Sequence, residues 1–225
     1  MKEKYIVVGD IHGCKKQLDE ILRLTSSFED HKYVFLGDYI DRGPDAEGVI
    51  QTIKKIDAIF LRGNHEEMLI KRYDHYDFEE KMHLLFQAGI SNDSFEWIVN
   101  NTILKYESDN YLFVHAGLNI KKNIMEQNIE DLLWTRETGN YYDLTNQVVI
   151  HGHTIIVEPE QFGNRINVNT GCGSNGVLTA LVLPEMIYLK SSVSSCTRND
   201  WSKILKELEK ELQELEEFGT LEEIE

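Results

Sequence analysis

The chain has 225 residues, 41% hydrophobic and 28% charged, with only three prolines, a composition that excludes disordered and collagen-like proteins and is long enough to bury one sizeable core. Lys plus Arg is 23 and Asp plus Glu is 39, a formal net charge of −16 at pH 7. A field of that sign repels polyanions, so nucleic acid and anionic membranes are poor partners and divalent cations natural ones.

The N-terminus offers no long apolar region, and no stretch approaches 18 apolar residues, so nothing targets export or a membrane. Apolar runs at 5–8, 33–36 and 58–61 each end in a Gly-containing polar cluster, and the segments between them carry helical periodicity, predicting β-α-β-α-β with parallel strands. Leu18, Ile21, Leu22 and Thr25 line one face of the first helix; Val49, Ile50, Ile53 and Ile56 line the second. From 66 to about 100 the pattern is helical without strands, an inserted helical cap. Strand signals return at 102–106, 111–114, 147–150, 165–168, 177–183 and 186–189, predicting a strand-rich, partly antiparallel second half.

Leu205, Leu208, Leu212 and Leu215 recur at helical spacing near the end of the chain, and from Glu207 onward there are nine Glu and one Lys, half of the net charge. Residues 1–195 are therefore expected to form the folded body and 196–225 an acidic amphipathic C-terminal helix. Cys14, Cys172 and Cys196 are an odd set without C-x-x-C spacing, which gives neither a disulfide framework nor a zinc ribbon and suits a reducing cytoplasm.

The clusters ending the first three strands are Gly9-Asp10-Ile11-His12-Gly13, Gly37-Asp38-Tyr39-Ile40-Asp41-Arg42-Gly43 and Gly63-Asn64-His65-Glu66. In an open α/β sheet the carboxyl ends of parallel strands share one rim, where ligands bind, so Asp10, His12, Asp38, Asn64 and His65 are expected to converge. Two later strands end in His115-Ala116-Gly117 and His151-Gly152-His153-Thr154. Carboxylate, amide oxygen and imidazole without thiolate suit Mn, Fe, Zn or Ni. The donor count fits two ions, with Asp38 placed to bridge a group near Asp10 and His12 and a group near Asn64, His115 and His153.

These motifs, with Val-His-Ala-Gly-Leu at 114–118 and Gly-His-Thr at 152–154, resemble those of calcineurin-like metallophosphoesterases, and more narrowly the small bacterial and phage branch of the phosphoprotein phosphatases. The resemblance spans about residues 5–183. It implies an α/β fold of two facing mixed β-sheets flanked by helices, making 1–195 the catalytic domain. It also implies two divalent ions, most naturally Mn, with Asp10, His12 and Asp38 on the first and Asp38, Asn64, His115 and His153 on the second. Arg42 and Arg136 match the family's phosphate-binding arginines, completing a substrate-binding set with Asn64 and His65. His65 matches the general acid, with Asp41 orienting it.

The implied reaction is attack of a dimetal-bridging hydroxide on phosphoserine or phosphothreonine, with a phosphoprotein or phosphopeptide as substrate partner. The same motifs resemble symmetrical diadenosine tetraphosphate hydrolases, so a dinucleoside polyphosphate or another small nucleotide is the alternative substrate. A noncatalytic metal-binding scaffold is the reading from a second class. Ile155 stands where many metallophosphoesterases carry a further histidine, and Asn169 where bacterial members carry aspartate. His151 is read as lying behind the ligands, and His31, His75 and His83 as surface residues.

Overall fold

The computed structural model describes residues 3–192; the expected C-terminal helix and Cys196 lie outside the described residues. In chain order the elements are β1 (Tyr5–Val8), α1 (Lys15–Thr25), β2 (Lys32–Phe35), α2 (Ala46–Ile53) and β3 (Ala58–Phe60). Three helices follow, α3 (Asn64–Asp74), α4 (Phe78–Ala88) and α5 (Asn92–Asn101), then β4 (Lys105–Glu107), β5 (Tyr111–Val114), a 3-10 turn at Ile124–Glu126 and α6 (Ile129–Trp134). The chain continues with β6 (Val148–His151), β7 (Glu160–Phe162), β8 (Arg165–Asn167), β9 (Thr179–Leu183) and β10 (Ile187–Lys190).

Two five-stranded sheets form, in the orders β10-β9-β1-β2-β3 and β4-β5-β6-β8-β7. Strands β1, β2 and β3 are parallel, as are β5, β6 and β8, while antiparallel strands lie at one edge of the first sheet (β9 and β10) and at both edges of the second (β4 and β7). The continuous apolar runs follow from burial on both faces. Alternation along β1 puts Tyr5 and Val7 into the core between the sheets, with Val34, Leu36, Phe113, Ile150 and Leu181. Ile6 and Val8 point the other way, into a core shared with Leu18 and Ile21 of α1 and Val49, Ile50 and Ile53 of α2. Fully burying one such side chain is worth about 1.5–3 kcal/mol, so the sandwich is held chiefly by these two apolar layers.

The predicted helical insertion is α3–α5. Its boundaries follow local chemistry: Asp77 accepts from Glu80 N at the start of α4, and Gly89 ends it in the left-handed conformation at φ 70°. Leu69, Leu84, Leu85, Phe95 and Ile98 join the core of α1 and α2, so the insertion extends the helical layer of the first sheet. Sequence patterning did not reveal β7, whose three residues are all exposed, or α6, a six-residue helix set by Asn128 accepting from Asp131 N. Among the described residues no helix is long and apolar enough to cross a membrane. Cys172 is a buried free thiol.

Candidate metal centre

The site lies where β1, β2, β3, β5 and β6 give out. His12, Asp38, Asp41, Arg42 and His153 all have positive φ, between 50° and 66°, a conformation that non-glycine residues adopt only when their surroundings hold them there. The holding contacts are backbone bonds between the first two loops: Ile11 N and His12 N both donate to Asp38 O, at 3.0 and 2.8 Å, and Gly43 N donates to His12 O at 2.8 Å. Close approach also requires missing side chains, since a Cβ on Gly63 would collide with the Asp38 carboxylate and one on Gly152 with that of Asp10.

Glu66 is the second brace. Fully buried at the start of α3, its carboxylate accepts from Asp38 N and Tyr39 N, both at 2.8 Å, from Gly63 N at 2.9 Å and from Ile40 N at 3.2 Å. It ties the second and third loops into one body.

The donor atoms show what the centre is built to hold. His12 Nδ1 lies 2.9 Å from Ile40 O and His115 Nδ1 2.8 Å from Leu36 O, so in each ring the proton sits on Nδ1 and the Nε2 lone pair points inward. His12 Nε2 is buried without a hydrogen-bond partner and lies 3.5 Å from Asp38 Oδ2, as does His115 Nε2. Asn64 Oδ1 is 2.8 Å from His115 Nε2 and 2.9 Å from His153 Nδ1. Lone pairs facing one another in a buried space repel unless a cation lies between them. His12, Asp38 and His65, and separately Asp38, His115 and His153, bring possible ligand atoms within 4.8 Å of one another. The residues present therefore fit two divalent ions sharing Asp38.

The electrostatics agree. Burial, reinforced by the charge of Asp38, raises the Asp10 pKa to about 7; burial and the charge of Glu66 raise that of Asp38 to about 7. Burial lowers the His12 and His115 pKa values, and burial with the neighbouring charge of His115 lowers that of His153 to about 3. Without cations the centre resists ionised carboxylates and favours neutral imidazoles, the state in which imidazole ligates metal.

His65 stands apart from the other histidines. Its Nδ1 is 2.5 Å from Asp41 Oδ2, which occupies that nitrogen, while its Nε2 faces the site 3.4 Å from Arg42 Nη2. Burial lowers its pKa, but the Asp41 hydrogen bond and the charges of Asp38, Asp41 and Glu66 raise it overall. Arg42 is anchored by its Nη1 bond to Ser174 Oγ at 3.0 Å. Arg136 is exposed beside the cluster, its charge contributing to the lowered pKa of His153, and Trp134 stands edge-on to the His153 ring at 5.9 Å.

Of the residues expected at the centre, Asp10 lies outside both groupings of possible ligand atoms, its carboxylate accepting from His153 N at 3.2 Å, and Arg136 flanks the cluster. His151 lies behind the ligands, its Nδ1 at 3.0 Å from Gly152 O and its Nε2 at 3.4 Å from Arg165 Nη1. Asn169 donates to Asp10 Oδ2 at 2.6 Å, and this orienting contact and the Glu66 brace were missed in the sequence. His75 and His83 are exposed as expected. His31 is not a surface residue: its side chain is 5% exposed and paired with Glu185 at 3.1 Å.

The sequence profile of the calcineurin-like phosphoesterase family matches residues 3–177, and the chain belongs to that family. It is 27% identical over 229 residues to the asymmetrical bis(5'-nucleosyl)-tetraphosphatase PrpE of Oceanobacillus iheyensis, covering 83% of this chain and 91% of that protein. It is 31% identical over 131 residues to the symmetrical bis(5'-nucleosyl)-tetraphosphatase of Coxiella burnetii, covering 53% of this chain and 45% of that one. A solved structure provisionally described as a diadenosine tetraphosphatase matches with a TM-score of 0.69 at 24% identity, over 84% of this chain and 92% of that one. A protein serine/threonine phosphatase of Saccharomyces cerevisiae matches at 0.56 and 19%, over 86% and 81%. At these identities the structural likenesses establish the fold alone. The narrower resemblance to protein phosphatases is met in fold, while these curated relatives are tetraphosphatases.

Proposed function

We propose that this metallophosphoesterase hydrolyses dinucleoside tetraphosphates. The observation that carries the reading is the match to a tetraphosphatase over most of both chains, on a centre with all the parts of phosphoryl transfer. It favours the nucleotide alternative over the phosphoserine and phosphothreonine reading to which the motifs alone led.

In this reading Asp10, His12 and Asp38 hold one divalent ion, and Asp38, Asn64, His115 and His153 the other. Bound there, the ions supply Lewis acidity to the phosphoryl oxygens and lower the pKa of water. Arg42, fixed by Ser174, and Arg136 grip the phosphoryl oxygens through planar guanidinium groups. His65, kept protonated by Asp41, gives its Nε2 proton to the departing oxygen. Asn169 and Glu66 keep Asp10 and the Asp38 loop in register with the phosphate.

The test is hydrolysis by metal-stripped protein reconstituted with Mn, comparing diadenosine tetraphosphate with a phosphothreonine peptide at equal concentration. Preferential cleavage of the dinucleotide, lost with chelator, is expected, and the products separate symmetrical cleavage (ADP alone) from asymmetrical (AMP with ATP). Preference for the peptide overturns the nucleotide reading and returns the protein phosphatase; silence on both overturns catalysis and leaves the metal-binding scaffold.

A further inference from the structure

A cavity of about 390 Å³ opens between α3 and α4, with Asp41 and His65 in its wall. In an in-line displacement the group that departs leaves on the side of the acid that protonates it. A cavity walled by His65 and running away from the metal ligands is therefore placed for the leaving group, not for the phosphoryl group under attack.

Its lining indicates the chemistry of that group. Met68 of α3, 38% exposed, and Leu84 of α4 form an apolar surface, and a methionine thioether adapts to a flat aromatic face. Lys71 brings an ammonium to the cavity, paired among the described residues with Glu67 at 3.5 Å, on a chain whose net charge is −16. Gln87 is exposed; its Nε2 meets His83 at 2.7 Å, and its carbonyl oxygen has no hydrogen-bond partner among the described residues, an acceptor for an exocyclic amine. An apolar shelf, a cation and an amide acceptor beside the acid suit a purine nucleoside phosphate.

We infer that the α3–α4 cavity is the leaving-nucleotide subsite, with Met68 and Leu84 against the base, Gln87 on its amine and Lys71 on its phosphate. The inference rests on the nucleotide reading of the site, and its test is arranged so that the two fail separately. Lys71→Ala, Gln87→Ala and Met68→Ser are measured in the Mn-loaded enzyme on diadenosine tetraphosphate, and ADP binding to each is measured by calorimetry. Lys71→Ala and Gln87→Ala each raise KM by about 5–10-fold, Met68→Ser by about 3-fold, and all change kcat less than 2-fold, as removal of an interaction made equally in ground and transition state does. ADP affinity falls by the same factors. Unchanged KM and unchanged ADP affinity in all three variants overturn the subsite while leaving the nucleotide reading intact. Wild type that cleaves no dinucleotide overturns the nucleotide reading, and the subsite then stands or falls on ADP binding and its loss in the variants. Thermal melting within about 2 °C of wild type checks that these exposed changes leave the fold whole.

Discussion

Glu66→Gln is a sharp test of how the centre is held. The carboxylate receives four backbone N–H groups, two on each oxygen: Tyr39 and Ile40 on Oε1, Asp38 and Gly63 on Oε2. A glutamine keeps one oxygen and presents an NH₂ group to the other pair, so two charge-assisted bonds are lost and two buried donors face a donor. At about 1.5–3 kcal/mol for each bond to a charged group, the loss is about 3–6 kcal/mol. One term opposes it, because the charge of Glu66 is part of what raises the Asp38 pKa to about 7, and neutralising it relieves that repulsion.

The opposing term exists only where Asp38 is ionised, so in metal-free protein the destabilisation is largest near pH 6 and smaller near pH 8. The assay is urea unfolding of both proteins at the two pH values, with the slope m checked for constancy. Glu66→Gln within about 1 kcal/mol of wild type at pH 6 would refute the claim that this carboxylate braces the two loops. A loss independent of pH would refute the coupling to Asp38.

His65→Asn should lower kcat on a phosphate ester with an alkoxide leaving group by about 10²–10⁴-fold and less on a dinucleoside tetraphosphate, whose phosphate leaving group needs a proton less; equal losses on both substrates would argue against His65 as the acid. Arg42→Lys keeps the charge but not the planar fork, and kcat/KM should fall about 10–100-fold; steady-state kinetics showing no loss would place the guanidinium outside the phosphate grip. Metal binding should release protons from Asp10 and Asp38, both raised to about 7, and none from His153, already neutral well above its pKa of about 3. Mn affinity therefore rises with pH and levels off above about 7, and calorimetry near pH 6.5 in buffers of different ionisation enthalpy reads the release; enthalpies independent of buffer would contradict it.

The ligands were legible because each sits within four residues of a strand end, with a glycine one or two positions away, so a local pattern fixes both its place and its neighbours. The braces were not. Glu66 stands in the first turn of α3, where an acidic residue reads as a complement to the helix dipole, and nothing local shows that it reaches the Asp38 loop 28 residues earlier. Asn169 differs from an aspartate by one atom, and its use is decided by Asp10, 159 positions away. Lys71 and Gln87 look like ordinary solvated helix positions until α3 and α4 are set side by side. The pairing of the sheets was equally hidden: the alternation on β1 shows two buried faces without saying that one meets helices and the other a second sheet.

The left-handed residues join these observations. A non-glycine residue held at positive φ costs about 1–2 kcal/mol, and His12, Asp38, Asp41, Arg42 and His153 all adopt that geometry. Two of them, His12 and Asp38, also present acceptors to one another across 3.5 Å, and Asp38 is held among further carboxylates in a space that burial makes unfavourable for their charge. Hydrogen bonds to the Glu66 carboxylate and between the first two loops fix the backbone but do nothing for the facing lone pairs, which only a cation satisfies. Strain and repulsion gathered at one rim, in a chain whose two apolar layers are otherwise regular, are therefore better explained by a ligand that the rim receives than by any need of the fold. Binding at the rim should consequently stabilise the whole domain, because each ion that enters removes a repulsion the unfolded chain never had.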